Sequence, residues 1–379
     1  MKALKIFILM SGLLVGTTSV AAEPDEATVN LIRDLGLKQS ERPVRQEKFW
    51  QKPRRIVVLL DKRRLQSKPD AARWLKEVAG DAEIVVATSG QSMIDTLDFL
   101  EDADVLLGMC TNASLKSGKN LRYILNYTAG VDRCTRSPLA LQRKLLVTNM
   151  KRIYGPGIAE HTIAMMYSLT RKLHVWHERQ LEKNWNRSAV KRTDMWEVQG
   201  RTMLVVGLGG IGTEIARRAS ALGMKVIATR NSSRKGPAFV SYVGLTDELN
   251  KLAAQADVVV NATPLTSKTR DLFNKAFFTK MKKGGYFINV GRGKSVVTDD
   301  LIEVLKSGHL GGAALDVMDP EPLPKNHPLW TAPNLILTPH ISSGSDAQMK
   351  RFWLLVRENL RRYVNGEKML NVVDLKKGY

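Results

Sequence analysis

Three residues in the last quarter of the chain, Arg292, Glu321 and His340, could together protonate an oxygen atom beside a bound carboxylate. The fork of an arginine binds a carboxylate and polarises a neighbouring carbonyl group. A carboxylate held against an imidazole fixes its tautomer and suits it to proton transfer near neutral pH. Gly291 and Gly293 flank the arginine and are expected to leave room for a ligand. Each of the three residues follows an apolar run that predicts a buried strand: Phe287–Asn289, Ala313–Leu315 and Leu335–Leu337.

A glycine-rich segment, 207–212, precedes these residues and lies between a predicted strand, Met203–Val206, and a predicted helix, Ile211–Leu222. In the pattern G-x-G-x-x-G the first glycine permits a tight turn and the second lets the backbone approach a pyrophosphate. The third lets the helix pack on the strand, and the helix N-terminus binds the phosphates. The flanking elements favour a dinucleotide site over a purely structural turn. We assign to this site Gly207, Gly209, Gly210, Ile211 and Gly212, with Thr263 and Pro264 beyond the predicted strand Val258–Val260.

The end of the next predicted strand, Val226–Ala228, indicates which nucleotide is preferred. An acidic residue at this place would accept hydrogen bonds from the ribose 2′-hydroxyl of NAD. The chain instead has Arg230, Ser232 and Arg234, whose donors suit a 2′-phosphate. We therefore predict that NADP(H) is preferred and that NAD(H) is an alternative cofactor. The competing interpretation is that these are exposed loop residues of a basic protein.

Short apolar runs alternate with helical segments along most of the 379 residues, a pattern typical of parallel sheets covered on both faces. The first runs are Ile56–Leu60, Ile84–Ala87, Val105–Leu107, Tyr123–Leu125 and Leu145–Val147. A helix from Gly157 to about His174 is expected to lead into the second alternation, and a last helix, about Asp346–Val364, to return to the first. The sequence thus predicts an α/β protein with two doubly wound parallel-sheet domains, residues 54–151 with 341–379, and residues 152–340.

The N-terminus has the features of a secretory signal peptide. Lys2 and Lys5 precede the apolar run Ile6–Val15, and small residues lead to Ala22, where cleavage is expected. The run is short for a membrane span, although a retained anchor is the alternative. We predict a signal peptide over 1–22 and a basic extension over 23–53. The mature chain is expected to be periplasmic or secreted without an integral span, or cytoplasmic if the signal is not functional.

Composition adds expectations about partners and thiols. The formal net charge is +21, but the basic residues are spread out and carry no recognised nucleic-acid motif. We therefore expect a solvated basic surface, no nucleic-acid partner and no metal site. Two cysteines, Cys110 and Cys134, cannot build a disulfide framework. One bridge between them is allowed, and two buried free thiols are favoured.

Taken together, these motifs resemble the D-isomer-specific 2-hydroxyacid dehydrogenase family, over about Ile56–Val372 and most densely from Gly200 to Ser343. The resemblance implies a Rossmann cofactor domain inserted in a discontinuous, flavodoxin-like substrate domain. It also implies a homodimer, and the stretch from about Val175 to Val198 resembles the family's dimer arm.

The same resemblance implies the roles of individual residues. The arginine, glutamate and histidine introduced above match the catalytic residues. Asp316 matches the acid that binds the nicotinamide carboxamide. The loop Thr128–Asp132 matches the one whose N–H groups hold the substrate carboxylate, here those of Ala129 and Gly130, together with Arg292.

The implied activity is hydride transfer between NADP(H) and a small 2-oxo or 2-hydroxy acid, with reduction of the glyoxylate or hydroxypyruvate type favoured. His340, paired with Glu321, acts as the general acid and Arg292 binds the substrate carboxylate. The alternative is a non-catalytic NAD(P)-binding sensor with a partner-binding surface on the same fold.

Overall fold

The computed structural model describes residues 23–88, 98–231 and 233–378. The chain divides into two compact units: unit 1 comprises Met1–Ile153 and Ser345–Tyr379, and unit 2 comprises Tyr154–Gly344. The domain boundaries expected from the sequence, at 151/152 and 340/341, differ from these by a few residues. The predicted signal peptide, residues 1–22, lies outside the described residues.

Twelve strands lie within the described residues, and β1–β5 belong to unit 1. The strands are β1 (Arg55–Leu60), β2 (Glu83–Thr88), β3 (Val105–Gly108), β4 (Tyr123–Asn126), β5 (Leu146–Asn149), β6 (Thr202–Val206), β7 (Lys225–Thr229), β8 (Tyr242–Gly244), β9 (Val258–Asn261), β10 (Tyr286–Asn289), β11 (Gly312–Leu315) and β12 (Leu335–Leu337). Every predicted strand is confirmed to within one or two residues at each end. The three-residue strand β8 was not predicted.

Thirteen α-helices accompany these strands in the same described ranges. They are α1 (Glu26–Leu35), α2 (Lys62–Ser67), α3 (Ala71–Lys76), α4 (Asn112–Ser117), α5 (Asp132–Thr135), α6 (Pro138–Gln142), α7 (Gly155–Thr170), α8 (Leu173–Leu181), α9 (Gly210–Ala221), α10 (Leu249–Ala253), α11 (Lys275–Phe278), α12 (Thr298–Lys306) and α13 (Gln348–Val364). No helix among the described residues combines the length and the apolar character needed to cross a membrane.

Unit 1 is built on a five-stranded sheet with the order β2-β1-β3-β4-β5, in which all neighbours are parallel. This is the flavodoxin-like order. In β1 the run Ile56–Leu60 is at most 2% exposed, because helices and loops cover both faces of the sheet. Burial on both faces explains why the strand is a continuous apolar run rather than an alternating one.

Unit 2 is built on a seven-stranded parallel sheet with the order β12-β11-β10-β9-β6-β7-β8. Apart from the additional edge strand β12, this is the Rossmann order, and the strand order reverses between β6 and β9. The prediction of two parallel-sheet α/β domains is therefore confirmed. The helix predicted from Gly157 to His174 is wrong at its end, because Lys172 adopts a left-handed φ of 56° that separates α7 from α8.

The segment 23–53, predicted to be a basic extension, is folded as part of unit 1. The side chain of Asp25 caps α1 by accepting the N–H of Thr28 at 2.8 Å, and the helix packs against α13. Further along, the indole N–H of Trp50 donates to the carbonyl of Tyr363 at 2.9 Å. The polar and basic composition of the segment suggested an extension, whereas its residues Leu31, Leu37 and Val44 are buried.

Cys110 and Cys134 are both buried, but they form a disulfide, so the expectation of free thiols was wrong. Cys110 follows β3 and Cys134 lies in α5, beyond the carboxyl end of β4. Because β3 and β4 are neighbours in the sheet, the segments beyond their carboxyl ends meet. A separation of 24 residues along the chain did not reveal that proximity.

Candidate active site

The polar residues predicted from the sequence follow three neighbouring strands of unit 2. Asn289, Leu315 and Leu337 stand opposite one another at the carboxyl ends of β10, β11 and β12. The segments beyond them therefore start at the same level of the sheet edge, where ligands bind in open α/β sheets. These segments carry, in this order, Arg292, then Asp316 and Glu321, and then His340.

The imidazole of His340 is paired with the carboxylate of Glu321. Its Nδ1 lies 2.9 Å from Oε2 of Glu321, and Oε1 of the same carboxylate accepts the N–H of Met318 at 2.9 Å. Since an ionised carboxylate can only accept, the hydrogen on the imidazole is placed on Nδ1. The other nitrogen, Nε2, is then the one that is available to a ligand.

The backbone around His340 is held by the carboxylate of Asp316. Oδ1 accepts the hydroxyl of Thr338 at 2.6 Å and the N–H of Ile341 at 2.9 Å, and Oδ2 accepts the N–H of Ser342 at 3.1 Å. The N–H of His340 donates to the carbonyl of Asp316 at 2.8 Å. These bonds stabilise His340 at a φ of 51°, which non-glycine residues rarely adopt.

Asp316 is only 1% exposed, so its charge depends on these donors. Burial acts to raise the pKa of its carboxyl. The hydrogen bonds from Ser342, Thr338 and Ile341 outweigh burial, so that the pKa lies below the ordinary value of an aspartate. The group is therefore a carboxylate at neutral pH.

The loop that carries Arg292 is fixed through its backbone. The carbonyl of Arg292 accepts the side-chain amide of Asn289 at 3.1 Å and the hydroxyl of Ser295 at 2.6 Å. Nη1 of the guanidinium donates to the carbonyl of Gly291 at 2.8 Å. The flanking glycines were expected to leave room for a ligand, but at Gly293 that space is taken by backbone. A Cβ atom there would lie 1.9 Å from the carbonyl oxygen of Met318.

Two buried asparagines, which the sequence analysis missed, connect this loop to the segment after β9. The amide of Asn261 donates to Oδ1 of Asn289 at 2.9 Å and to the hydroxyl of Ser295 at 2.7 Å. Its oxygen accepts the hydroxyl of Thr263, a predicted cofactor residue, at 2.7 Å. Pro264 follows directly. An asparagine as the last residue of two adjacent apolar strands was the available signal.

The glycine-rich segment has the geometry expected at a dinucleotide site. Gly207 has a φ of 96°, and a Cβ atom on Gly212 would lie 2.1 Å from the carbonyl oxygen of Gly207. Gly209 caps α9, and a Cβ atom there would meet nothing within 4 Å. Gly210 and Ile211 begin the helix, whose first-turn N–H groups lack acceptors within the helix. The segment thus combines tight packing with open space beside the helix N-terminus, which fits a pyrophosphate.

The loop after β7 contains the two arginines predicted to bind a 2′-phosphate, and both contact protein groups. Nη1 of Arg230 donates to the carbonyl of Lys235 at 2.7 Å. Arg234 donates to the hydroxyl of Tyr242 at 3.0 Å and forms an ion pair with Glu248. The third predicted residue, Ser232, lies outside the described residues.

Glu248 is an anion fixed beside this loop. Hydrogen bonds from the hydroxyl of Tyr242 at 2.5 Å and the N–H of Leu245 at 2.9 Å, together with Arg234, lower the pKa of Glu248 to about 2. Arg234 is thus held towards the strand β8. No local sequence signal indicated its contacts with Tyr242 and Glu248.

In unit 1, the loop Thr128–Asp132 is held by two asparagines. The amide of Asn126 donates to the carbonyl of Gly130 at 3.1 Å, and that of Asn149 donates to the carbonyl of Ala129 at 2.6 Å. The loop leads directly into α5, which carries the disulfide-bonded Cys134. The predicted substrate residues therefore belong to a loop that is restrained at both ends.

One further residue of unit 2 joins the candidate site. The Nε2 atom of His161, on α7, lies 3.0 Å from the hydroxyl oxygen of Thr338. The same nitrogen is 3.9 Å from Oδ1 of Asp316.

In the described part of the chain, no three His, Cys, Asp or Glu side chains are placed to hold a metal ion.

The chain is similar to known proteins of one family. Residues 163–342 match the model of the NAD-binding domain of D-isomer specific 2-hydroxyacid dehydrogenases. A glyoxylate reductase of Thermofilum pendens is 33% identical over 277 residues, which cover 71% of this chain and 80% of the relative.

Two solved structures are similar over most of the chain. A D-isomer specific 2-hydroxyacid dehydrogenase family protein of Aeromonas salmonicida has a TM-score of 0.70 at 31% identity and covers 85% of this chain and 99% of its own. An NADPH-dependent glyoxylate/hydroxypyruvate reductase of Sinorhizobium meliloti, solved with NADP and sulfate, has a TM-score of 0.71 at 26% identity. It covers 86% of this chain and 100% of its own.

The Asp316→Asn variant should lower the free energy of unfolding of unit 2 by about 1–3 kcal/mol at neutral pH, because its amide cannot accept all the bonds around the carboxylate. Since the folded-state pKa of Asp316 is depressed, the carboxylate contributes fully above the unfolded pKa and less as the pH falls through the folded value. The difference in free energy of unfolding between the variant and the unmodified protein should therefore narrow below about pH 4.

Urea unfolding at several pH values measures this difference. Asp247→Asn, at an exposed position of the same unit, is the control, and a difference that did not change with pH would contradict the prediction.

Proposed function

Because the chain belongs to the family of D-isomer specific 2-hydroxyacid dehydrogenases, we propose that it is an NADP(H)-preferring enzyme that reduces a small 2-oxo acid of the glyoxylate or hydroxypyruvate type. The observation that carries the proposal is the 2.9 Å pair of His340 and Glu321 at the sheet edge that also presents Arg292. The names of the Thermofilum and Sinorhizobium relatives support this substrate class.

The reaction adds a hydride to C2 of the acid and a proton to its carbonyl oxygen. A bound nicotinamide dinucleotide supplies the hydride. Arg292 binds the substrate carboxylate and polarises the neighbouring carbonyl group. His340 donates the proton from Nε2, and Glu321 holds the hydrogen on Nδ1 and stabilises the imidazolium. For the loop in unit 1, we propose that the N–H groups of Ala129 and Gly130 bind a carboxylate.

The cofactor is proposed to bind at the carboxyl ends of β6, β7 and β9. The N–H groups after Gly209 would hold the pyrophosphate, and the segment Thr263–Pro264 would line the site. Arg230 and Arg234 would bind the 2′-phosphate, and Arg234 would do so while paired with Glu248.

The purified chain that begins at Glu23 should oxidise NADPH in the presence of glyoxylate or hydroxypyruvate. The fall in the absorbance of NADPH measures this reaction. His340→Ala and Arg292→Ala should each lower kcat/KM by about 10²–10⁴-fold, because each removes a group that acts in the transition state. Lys283→Ala, at an exposed position near the amino end of β10, is the control and should leave turnover unchanged.

Two results would overturn this assignment. Full activity in the His340 variant would show that another group protonates the oxygen. Tight NADPH binding by the unmodified chain, without turnover of any 2-oxo acid, would favour the nucleotide-sensing alternative.

Arg230→Asp should shift the cofactor preference from NADPH towards NADH. The change replaces a phosphate-binding cation with an acceptor for the ribose 2′-hydroxyl, so the ratio of kcat/KM for the two cofactors should move by about tenfold or more. Lys283→Asp makes the same charge change near the amino end of β10 and serves as the control. An unchanged ratio in the Arg230 variant would refute the phosphate-site proposal.

We also propose that the chain is a homodimer joined through α8 and the segment that follows it. Leu181 and Trp185 are 70% and 93% exposed, an unusual degree for large apolar side chains. Light scattering measures the mass in solution. A monomeric unmodified chain would refute the proposal, and so would a dimer that persists when both residues are changed to serine.

We further propose that the mature chain is periplasmic or secreted. The signal-like residues 1–22 and the buried disulfide between Cys110 and Cys134 support this location, because disulfides persist in oxidising compartments. Cell fractionation with thiol alkylation tests it. A cytoplasmic chain that begins at Met1 and carries two free thiols would contradict it.

A further inference from the structure

His161 lies on the second turn of α7, which packs against α9, β10 and β11 in unit 2. Its side chain is 25% exposed, and its Nε2 is 3.0 Å from Oγ1 of Thr338. The bond joins residues that are 177 positions apart in the chain. Nothing in the reaction outlined above uses this imidazole.

The direction of the hydrogen bonds defines which ring nitrogen of His161 carries the hydrogen. The hydroxyl of Thr338 has one hydrogen, and Oδ1 of Asp316, at 2.6 Å, can only accept it. Oγ1 of Thr338 must therefore accept from His161, and the hydrogen of the imidazole is placed on Nε2. The three groups form a directed chain from the imidazole N–H through the hydroxyl to the carboxylate.

This chain ends on the group that holds the backbone of His340. Oδ1 of Asp316 also accepts the N–H of Ile341 at 2.9 Å, and Oδ2 accepts that of Ser342 at 3.1 Å. Thr338 and Ile341 stand on the two sides of His340 in the sequence. Turning the hydroxyl away from the carboxylate would therefore break one of the bonds that hold the backbone on both sides of the left-handed residue His340.

We propose that His161 is a positioning residue, which orients the hydroxyl of Thr338 towards Asp316 and so fixes the conformation in which His340 delivers its proton. The inference deepens the proposed function and rests on it. His161 acts through Thr338 and does not itself contact the substrate.

The test compares His161→Leu, which removes the donor, with His161→Gln, whose amide can donate to the same hydroxyl. The first should lower kcat about tenfold with little change in KM, and the second should retain most of the activity. Thr338→Val removes the acceptor, so adding His161→Leu to it should cause no further loss. NADPH binding, followed by nucleotide fluorescence, should be the same in His161→Leu and His161→Gln.

A readout without cofactor or substrate completes the test. The chain has six histidines, and the imidazole resonances of His340 can be assigned by their loss in His340→Ala. In ¹⁵N-histidine spectra of the nucleotide-free protein, these resonances should shift or broaden in His161→Leu and stay close to their normal positions in His161→Gln.

The outcomes separate this inference from the proposed function. An unmodified chain that binds NADPH but never turns over would defeat the proposed function, whereas the spectra would still report on His340. An active chain in which His161→Leu changes neither kcat nor the His340 resonances would overturn the positioning role. Equal losses in both His161 variants, additive with Thr338→Val, would show a merely structural role and overturn it too.

Discussion

The candidate site depends above all on the buried carboxylate of Asp316. A charge that is 1% exposed is tolerated only when its oxygens accept hydrogen bonds. The donors to its oxygens, Thr338, Ile341 and Ser342, belong to the segment that carries His340. Because an unsatisfied buried carboxylate is unfavourable, these hydrogen bonds keep His340 in a left-handed backbone conformation that non-glycine residues rarely adopt.

Backbone packing extends this constraint to the neighbouring strands. Gly293 lies directly against the carbonyl of Met318, whose N–H in turn donates to the carboxylate that pairs with His340. On the other side, Asn289 and Asn261 connect the arginine loop to the segment after β9. The loops beyond four adjacent strands are thus joined by short polar contacts, which restrict how far any one of them can move alone.

Unit 1 restrains its loop Thr128–Asp132 with different chemistry. In unit 2 a buried carboxylate accepts hydrogen bonds from the loop. In unit 1 the side-chain amides at the ends of β4 and β5 instead donate hydrogen bonds to the loop's carbonyl groups. The bond between Cys110 and Cys134 then ties the short helix after the loop to the end of β3. A covalent link stabilises mainly by restricting the unfolded chain, so it complements the hydrogen bonds of the folded loop.

The sequence by itself determined the parallel strands, the glycine-rich turn and the order of Arg292, Glu321 and His340 behind successive strands. These features are local, because a buried strand or a tight turn needs particular residues over a few consecutive positions. Only the tertiary structure decided which distant groups meet: the two cysteines, the imidazole of His161 with Thr338, and the folding of the polar segment 23–53 onto unit 1. The reason is physical, since the order of strands in the sheet determines which loops become neighbours. The sequence of one loop does not indicate which strand lies beside it.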